Sequence, residues 1–228
     1  MNKPKDIMKK TLTTLKPATV ARARMDRKIY KDFAEKLDFV YFGRTYQHDD
    51  EHQVVHGFTL SNTARDNHFS VGTYHGYDMS FLERRDVIKQ PRFPSESKRW
   101  IVMTADLHTK TEMPHMFIGR NSLSATFYRH LQTKYPHLQK VYLGHNVSFD
   151  PAFNEHFSIY TKQTHALFVE HVIHQQLQYM IVENFPTFLF EVKAGTLYVY
   201  VEITRPSNQL LARLVQCSAW LASELDKR

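Results

Sequence analysis

From Ala18 onward, apolar side chains recur every four positions. Ala21, Met25, Ile29, Phe33 and Leu37 form the stripe, and Tyr30 and Ala34 widen it. That spacing predicts an amphipathic helix over residues 18–37, with Asp32 and Lys36 as an i,i+4 pair on its wet side. Between Phe39 and Ile118 the period shortens towards two. Val54–Leu60 is a short apolar run ahead of a polar turn at Ser61–Asn67. Phe69, Val71 and Thr73 share one face, and Tyr77, Met79 and Phe81 follow a break at Gly76. Gly72 and Gly76 suggest a bend or bulge where the phase changes. Pro91–Ser97 reads as a loop and Trp100–Leu107 as the next strand, so the region predicts an antiparallel meander joined by hairpins.

Past Ile118 the two periods mix. Ser122–Lys134 places Leu123, Phe127, Tyr128 and Leu131 in helical register, while Lys140–Leu143 and His156–Tyr160 read as strands. Gln163–Val182 carries Phe168, Val172, Ile173, Leu177 and Met180 on one face and predicts one long helix. Thr187–Val192 and Thr196–Ile203 form a hairpin over Lys193-Ala194-Gly195, and Leu197–Val201 is apolar on both faces, as a central strand would be. Ser207–Asp226 closes the chain as a helix, with Leu210, Leu214, Leu221 and Leu225 facing the sheet. The expected fold class is α+β: antiparallel sheet with an N-terminal helix, a helix near 163–182 and a C-terminal helix packed on it. Residues 18–228 are expected to form one unit, with a division into two sub-lobes near 119–135 as the alternative, behind a basic arm over residues 1–17.

Charge changes this picture more than composition does. Of the 228 residues, 30 are Lys or Arg and 23 are Asp or Glu, a formal excess of +7. Residues 1–36 hold 11 of those bases and 4 of those acids, so the rest of the chain is balanced. The arm has only a thin apolar stripe, Ile7, Met8, Leu12 and Leu15, before Pro17. Lys3, Lys5, Lys9, Lys10, Lys16, Arg22 and Arg24 are therefore the candidate contacts for an anionic lipid surface or another polyanion. Aromatic residues, which a single-strand binder would interleave, are absent before Tyr30, which places nucleic acid second. The single cysteine, Cys217, excludes an internal disulfide and fits a reducing cytoplasm. It sits near the apolar face of the last helix and reads as a buried filler. No run approaches the roughly 20 apolar residues of a membrane span, and the N-terminus lacks the apolar segment of a secretory signal.

Catalytic signatures are few. Seven scattered glycines supply no phosphate loop or dinucleotide fingerprint, and there is no Gly-x-Ser-x-Gly and no His-Glu-x-x-His. Fourteen histidines offer clusters instead. His48, Asp50 and His52, with His56 beyond, place imidazole and carboxylate ligands close together for a divalent metal, although a solvated hairpin tip explains them better. His171 and His174 lie three apart on the polar side of the 163–182 helix, where they could share a ligand or simply meet solvent. Tyr74-His75-Gly76-Tyr77-Asp78 offers the residue types of an acid–base relay at a strand break.

The segment Val147–Tyr160, with its cadence Phe153-x-x-x-Phe157-x-Ile159-Tyr160, then a helix from Gln163 and a closing hairpin over Phe188–Ile203, resembles a bacterial family of domains of unknown function. Phe33–Leu37 and Gly72–Tyr77 resemble the upstream part of such proteins, so the likeness covers roughly residues 33–204. Members of that family often follow transmembrane helices, and this sequence carries a cationic arm where that anchor would stand. The resemblance implies no activity, cofactor or site residues. The reading is of a non-enzymatic accessory or scaffolding domain without cofactor, in the cytoplasm, peripheral to the inner membrane face and working with a protein partner. The alternatives are a polyanion binder using the same arm and a metal-dependent enzyme at His48, Asp50 and His52.

Overall fold

The computed structural model describes residues 17–44, 57–60, 65–88, 96–110, 112–141 and 150–227. Helix α1 (Pro17–Lys36) leads into strands β1 (Val40–Gly43), β2 (Arg65–Tyr74), β3 (Tyr77–Ile88), β4 (Glu96–Asp106) and β5 (Met116–Arg120). Then come α2 (Ala125–Lys134), β6 (Gln139–Val141), α3 (Pro151–His156), β7 (Phe157–Thr161), α4 (Ala166–Val172), α5 (Gln175–Asn184), β8 (Leu189–Lys193), β9 (Thr196–Glu202) and α6 (Asn208–Asp226). All nine strands join one antiparallel sheet in the order β1-β2-β3-β4-β9-β8-β5-β7-β6. The fold class is α+β.

Strict alternation sorts the side chains onto two faces. On the first lie Met79, Phe81, Ile101, Met103, Ile118, Phe190, Val192, Leu197, Val199 and Val201, and every helix except α2 packs there. α6 crosses β4 and β9, burying Leu211, Leu214, Leu221 and Leu225, while Leu210 is half-buried. Cys217 is wholly buried on the same helix, and burial pushes its thiol well above the ordinary range. On the second face lie Leu82, Trp100, Val102, Phe117, Leu189, Tyr198 and Tyr200, covered by α2 and by the short segment Gly57–Leu60.

Several expected elements shift for local reasons. The buried side of α1 is Asp26, Tyr30, Phe33 and Ala34, whereas Met25 is 68% exposed. A strict repeat of four drifts around a 3.6-residue helix, so the contact stripe steps from the Met25 line to its neighbour. The helix ends where Asp38 turns left-handed (φ 57°) and Phe39 N–H donates to Ala34 O at 2.9 Å. Gly76 makes no bulge; with His75 it supplies the two positive φ angles (51° and 87°) of a two-residue hairpin between β2 and β3. The register shift lies at Asn67–Ser70, around His68 (φ 61°), so the end of the expected 61–67 turn belongs to β2. The same two-residue chemistry, Ala194 and Gly195, closes β8 onto β9.

The helix expected over 163–182 is broken. α4 ends at Val172, Ile173 leaves helical geometry, and α5 restarts with His174 as its cap, its Nδ1 accepting from Leu177 N at 3.4 Å. Phe153 lies on α3, which Asp150 caps through Ala152 N and Pro151 starts, so the Phe153–Tyr160 cadence spans a helix and a strand.

Candidate functional site

β8 is buried on both faces, and Glu191 occupies a second-face position between Leu189 and Lys193. Its strand neighbours in register are Tyr198 on β9 and Phe117 on β5. A wholly buried carboxylate requires donors, and three converge. Oε2 accepts from Tyr200 Oη at 2.5 Å and from Phe58 N at 2.8 Å, while Oε1 accepts from His115 Nε2 at 2.9 Å. Burial pushes the carboxyl up, but the bonds from His115, Tyr200 and Phe58 outweigh it and hold Glu191 below its ordinary range. The same carboxylate and burial push the Tyr200 phenol well up, so it remains a donor.

The segment Gly57–Leu60 is tied across this face by polar bonds at nearly every residue. Lys134 Nζ donates to Gly57 O and Arg84 Nη1 to Phe58 O, both at 3.4 Å. Thr59 Oγ1 donates to Asp86, and Leu60 N donates to Asp86 Oδ2 at 2.9 Å. Arg84, itself buried, is held bidentate by Asp66 at 2.9 and 2.7 Å. Gly57 is required: its φ is +105°, and a Cβ there would collide with Tyr200 Oη and with the Tyr198 ring.

Outward from Glu191 the donors become surface groups. Because Glu191 takes the Nε2 proton, His115 presents Nδ1 to His137 Nε2 at 2.9 Å. Tyr135, in the turn after α2, lies edge-on to His115 with ring centroids 4.6 Å apart. Lys193 Nζ stands 4.8 Å from the Tyr135 centroid and Lys134 Nζ 5.8 Å. The Tyr135 hydroxyl is buried and makes no hydrogen bond of good geometry among the described residues, but it faces Glu191: burial and that carboxylate push the phenol well up.

A second buried carboxylate, Glu83 on β3, points to the opposite face. It accepts from Arg99 Nε (3.1 Å) and Nη2 (2.7 Å), Arg85 Nε (2.8 Å) and Tyr30 Oη (3.1 Å). Arg99 Nη2 also reaches Asp26 Oδ2 at 3.0 Å, which fastens α1 to the sheet. His68 stacks on Tyr30 at 4.4 Å and bonds Tyr41 Oη through Nδ1 at 2.8 Å.

Of the residues singled out by sequence, Lys3, Lys5, Lys9, Lys10, Lys16, His48, Asp50 and His52 lie outside the described residues. Arg22 donates to Thr204 O at 2.8 Å, and Arg24 is exposed on the first turns of α1. The Tyr74–Asp78 group is a hairpin, with His75 stacked on Tyr74 and Asp78 accepting from Thr73 Oγ1 at 2.9 Å. His171 and His174 fall on either side of the helix break. Among the described residues no three His, Cys, Asp or Glu side chains gather closely enough to hold a metal ion. No described helix is long and apolar enough to cross a membrane. The Glu191 cluster escaped sequence reading, although one signal was present: a lone acid in the apolar run Phe188–Val192 opposite Tyr198 and Tyr200.

The fold defines a class: a single antiparallel sheet of nine strands, with helices on one face and a tied segment plus one helix on the other. Among solved structures, the crystal structure of the mycobacterial trehalose monomycolate transport factor A, TtfA, is similar in fold, with a TM-score of 0.60 over 87% of this chain and 93% of that one, at 8% sequence identity. No family model and no curated protein matches the sequence.

Proposed function

We propose that the chain is a non-enzymatic accessory or scaffolding domain that rests on an anionic membrane surface through Lys3, Lys5, Lys9, Lys10, Lys16, Arg22 and Arg24. The observation that carries this reading is the exposure of α1 from Thr19 to Met25, ahead of Asp26, its first described buried side chain. That stretch sets Arg22 and Arg24 beside the exposed apolar side chains Val20 and Met25, the composition of an interfacial helix. The buried carboxylates support a non-catalytic reading, since Glu83, Glu191 and Asp66 are each engaged by internal donors. A cleft of about 290 Å³ between α3 and β6–β7 has Lys140 as its sole ionisable lining residue among those described. The structural neighbour is named a transport factor, which favours an accessory role, and the family resembled by residues 33–204 often follows membrane anchors, which favours a membrane surface.

The test is co-sedimentation with phosphatidylcholine vesicles containing a minor fraction of phosphatidylserine. Binding that falls as salt rises is expected, with Lys9→Glu and Lys10→Glu weakening it by about 1 kcal/mol per unit of charge changed. No pelleting at low salt would remove the membrane reading.

A further inference from the structure

The turn that follows α2 folds Tyr135 inward and leaves His137 exposed, so that one aromatic ring becomes the centre of a ring of basic groups. Its centroid lies 4.6 Å from the His115 ring, 4.8 Å from Lys193 Nζ, 5.8 Å from Lys134 Nζ and 6.0 Å from the His137 ring. These groups come from four separate places in the chain: the approach to β5, the end of α2, the turn after it, and the end of β8. Lys162, at the end of β7, adds its field at His137.

Such crowding of cations is unfavourable unless something answers it. Glu191, the acid of the cluster, is wholly buried and already accepts three hydrogen bonds. Asp106, two strands along from Lys193, is taken by Thr196 Oγ1 at 3.1 Å. Among the described residues none of Lys134, Lys162 and Lys193 forms an ion pair. Burial, then Arg84 and Lys193, lowers the Lys134 pKa; burial, then His115, Lys193 and Lys162, lowers that of His137.

We infer that Lys134 and Lys193, arranged around Tyr135 beside His137, form a binding site for a phosphate-type anion. Two flexible ammonium groups supply N–H donors and charge to a tetrahedral oxyanion, and the Glu191–His115 bond orients His137 next to them. The phosphoryl group can belong to a soluble phosphate compound or to a lipid head group. The inference does not rest on the N-terminal arm.

The experiment follows the imidazole nitrogens of the full chain by NMR while inorganic phosphate, glycerol phosphate or, as control, chloride at matched ionic strength is added. A saturable shift at His137 with either phosphate, absent with chloride, is expected for a soluble ligand. Lys134→Glu and Lys193→Glu, each a change of two charges, should each weaken that binding about thirtyfold, at roughly 1 kcal/mol per charge. Lys193→Gln, which keeps most of the stem over Tyr135, should weaken it less; thermal melting of each variant checks that it is folded. If the source is a lipid, the small phosphates give no saturation, but phosphatidic acid vesicles bind and lose affinity with the same variants. Equal shifts with chloride, together with vesicle binding indifferent to Lys134 and Lys193, would overturn the site. Vesicle binding that depends on Lys9 and Lys10 but not on Lys134 and Lys193, with no saturable phosphate shift at His137, would sink this inference while leaving the arm intact.

Discussion

Glu83 and Glu191 are the same residue type, equally inaccessible, and placed on opposite faces of one sheet. Their partners differ in kind. Glu83 is met by two guanidinium groups and a phenol, and one of those guanidiniums continues to Asp26 on α1. Glu191 is met by an imidazole, a phenol and a backbone amide, none carrying a fixed charge. A guanidinium cannot shed its charge when its partner is lost, whereas an imidazole can. The first carboxylate is therefore a clamp for a helix, and the second an adjustable post holding a surface cluster.

The sharpest way to break this contrast is to truncate each acid in turn. Glu83→Ala takes the buried acid from Arg99 and Arg85, leaving Asp26 as the remaining carboxylate on Arg99, and should cost about 3–5 kcal/mol in urea denaturation, with α1 amides losing exchange protection. Glu191→Ala removes the acceptor of an imidazole, a phenol and a backbone amide, none a fixed cation, for about 1–3 kcal/mol. The reverse order would refute the clamp-and-post distinction. Acid titration sharpens it next. Both carboxyls sit below their ordinary values, so each contributes stability that is complete above the unfolded pKa of about 4.3 and is lost as pH falls through the lower folded value. Glu83→Gln and Glu191→Gln should each flatten part of that acid limb, read as the pH dependence of the denaturation midpoint. Tyr135→Phe removes a buried hydroxyl that makes no hydrogen bond of good geometry and should leave stability unchanged or raise it by up to about 1 kcal/mol, read from thermal melting. The smallest effect is expected at Arg22→Ala, which loses an exposed bond to Thr204 O and should fall within about 0.5 kcal/mol in the same assay.

What could be read from sequence was local. The β8–β9 hairpin follows from Ala194-Gly195, and the final helix from its leucine spacing and the Ser207 cap, because neighbours a few residues apart decide both. The break at Ile173 was hidden, since apolar positions continue in helical register on both sides while His174 caps a new start. The candidate site was hidden for a different reason. Phe58 and Glu191 are 133 residues apart, and neither residue's surroundings announce the other. The sequence pointed to histidines close together in the chain, but the sheet gathered His115 and His137 through the pairing of strands.

The strand order carries a last consequence for how the molecule is made. β4 meets β9 along its whole central stretch, Trp100 opposite Glu202 and Asp106 opposite Thr196. A growing chain that has extruded the first four strands thus owns a bare, strongly apolar seam, and its mate β9 begins only at Thr196. Until then Ile101, Val102 and Met103 pair with β3 on one edge and leave the other open, an invitation to chaperones or to neighbouring nascent chains. Truncation anywhere before Thr196 would preserve that hazard permanently.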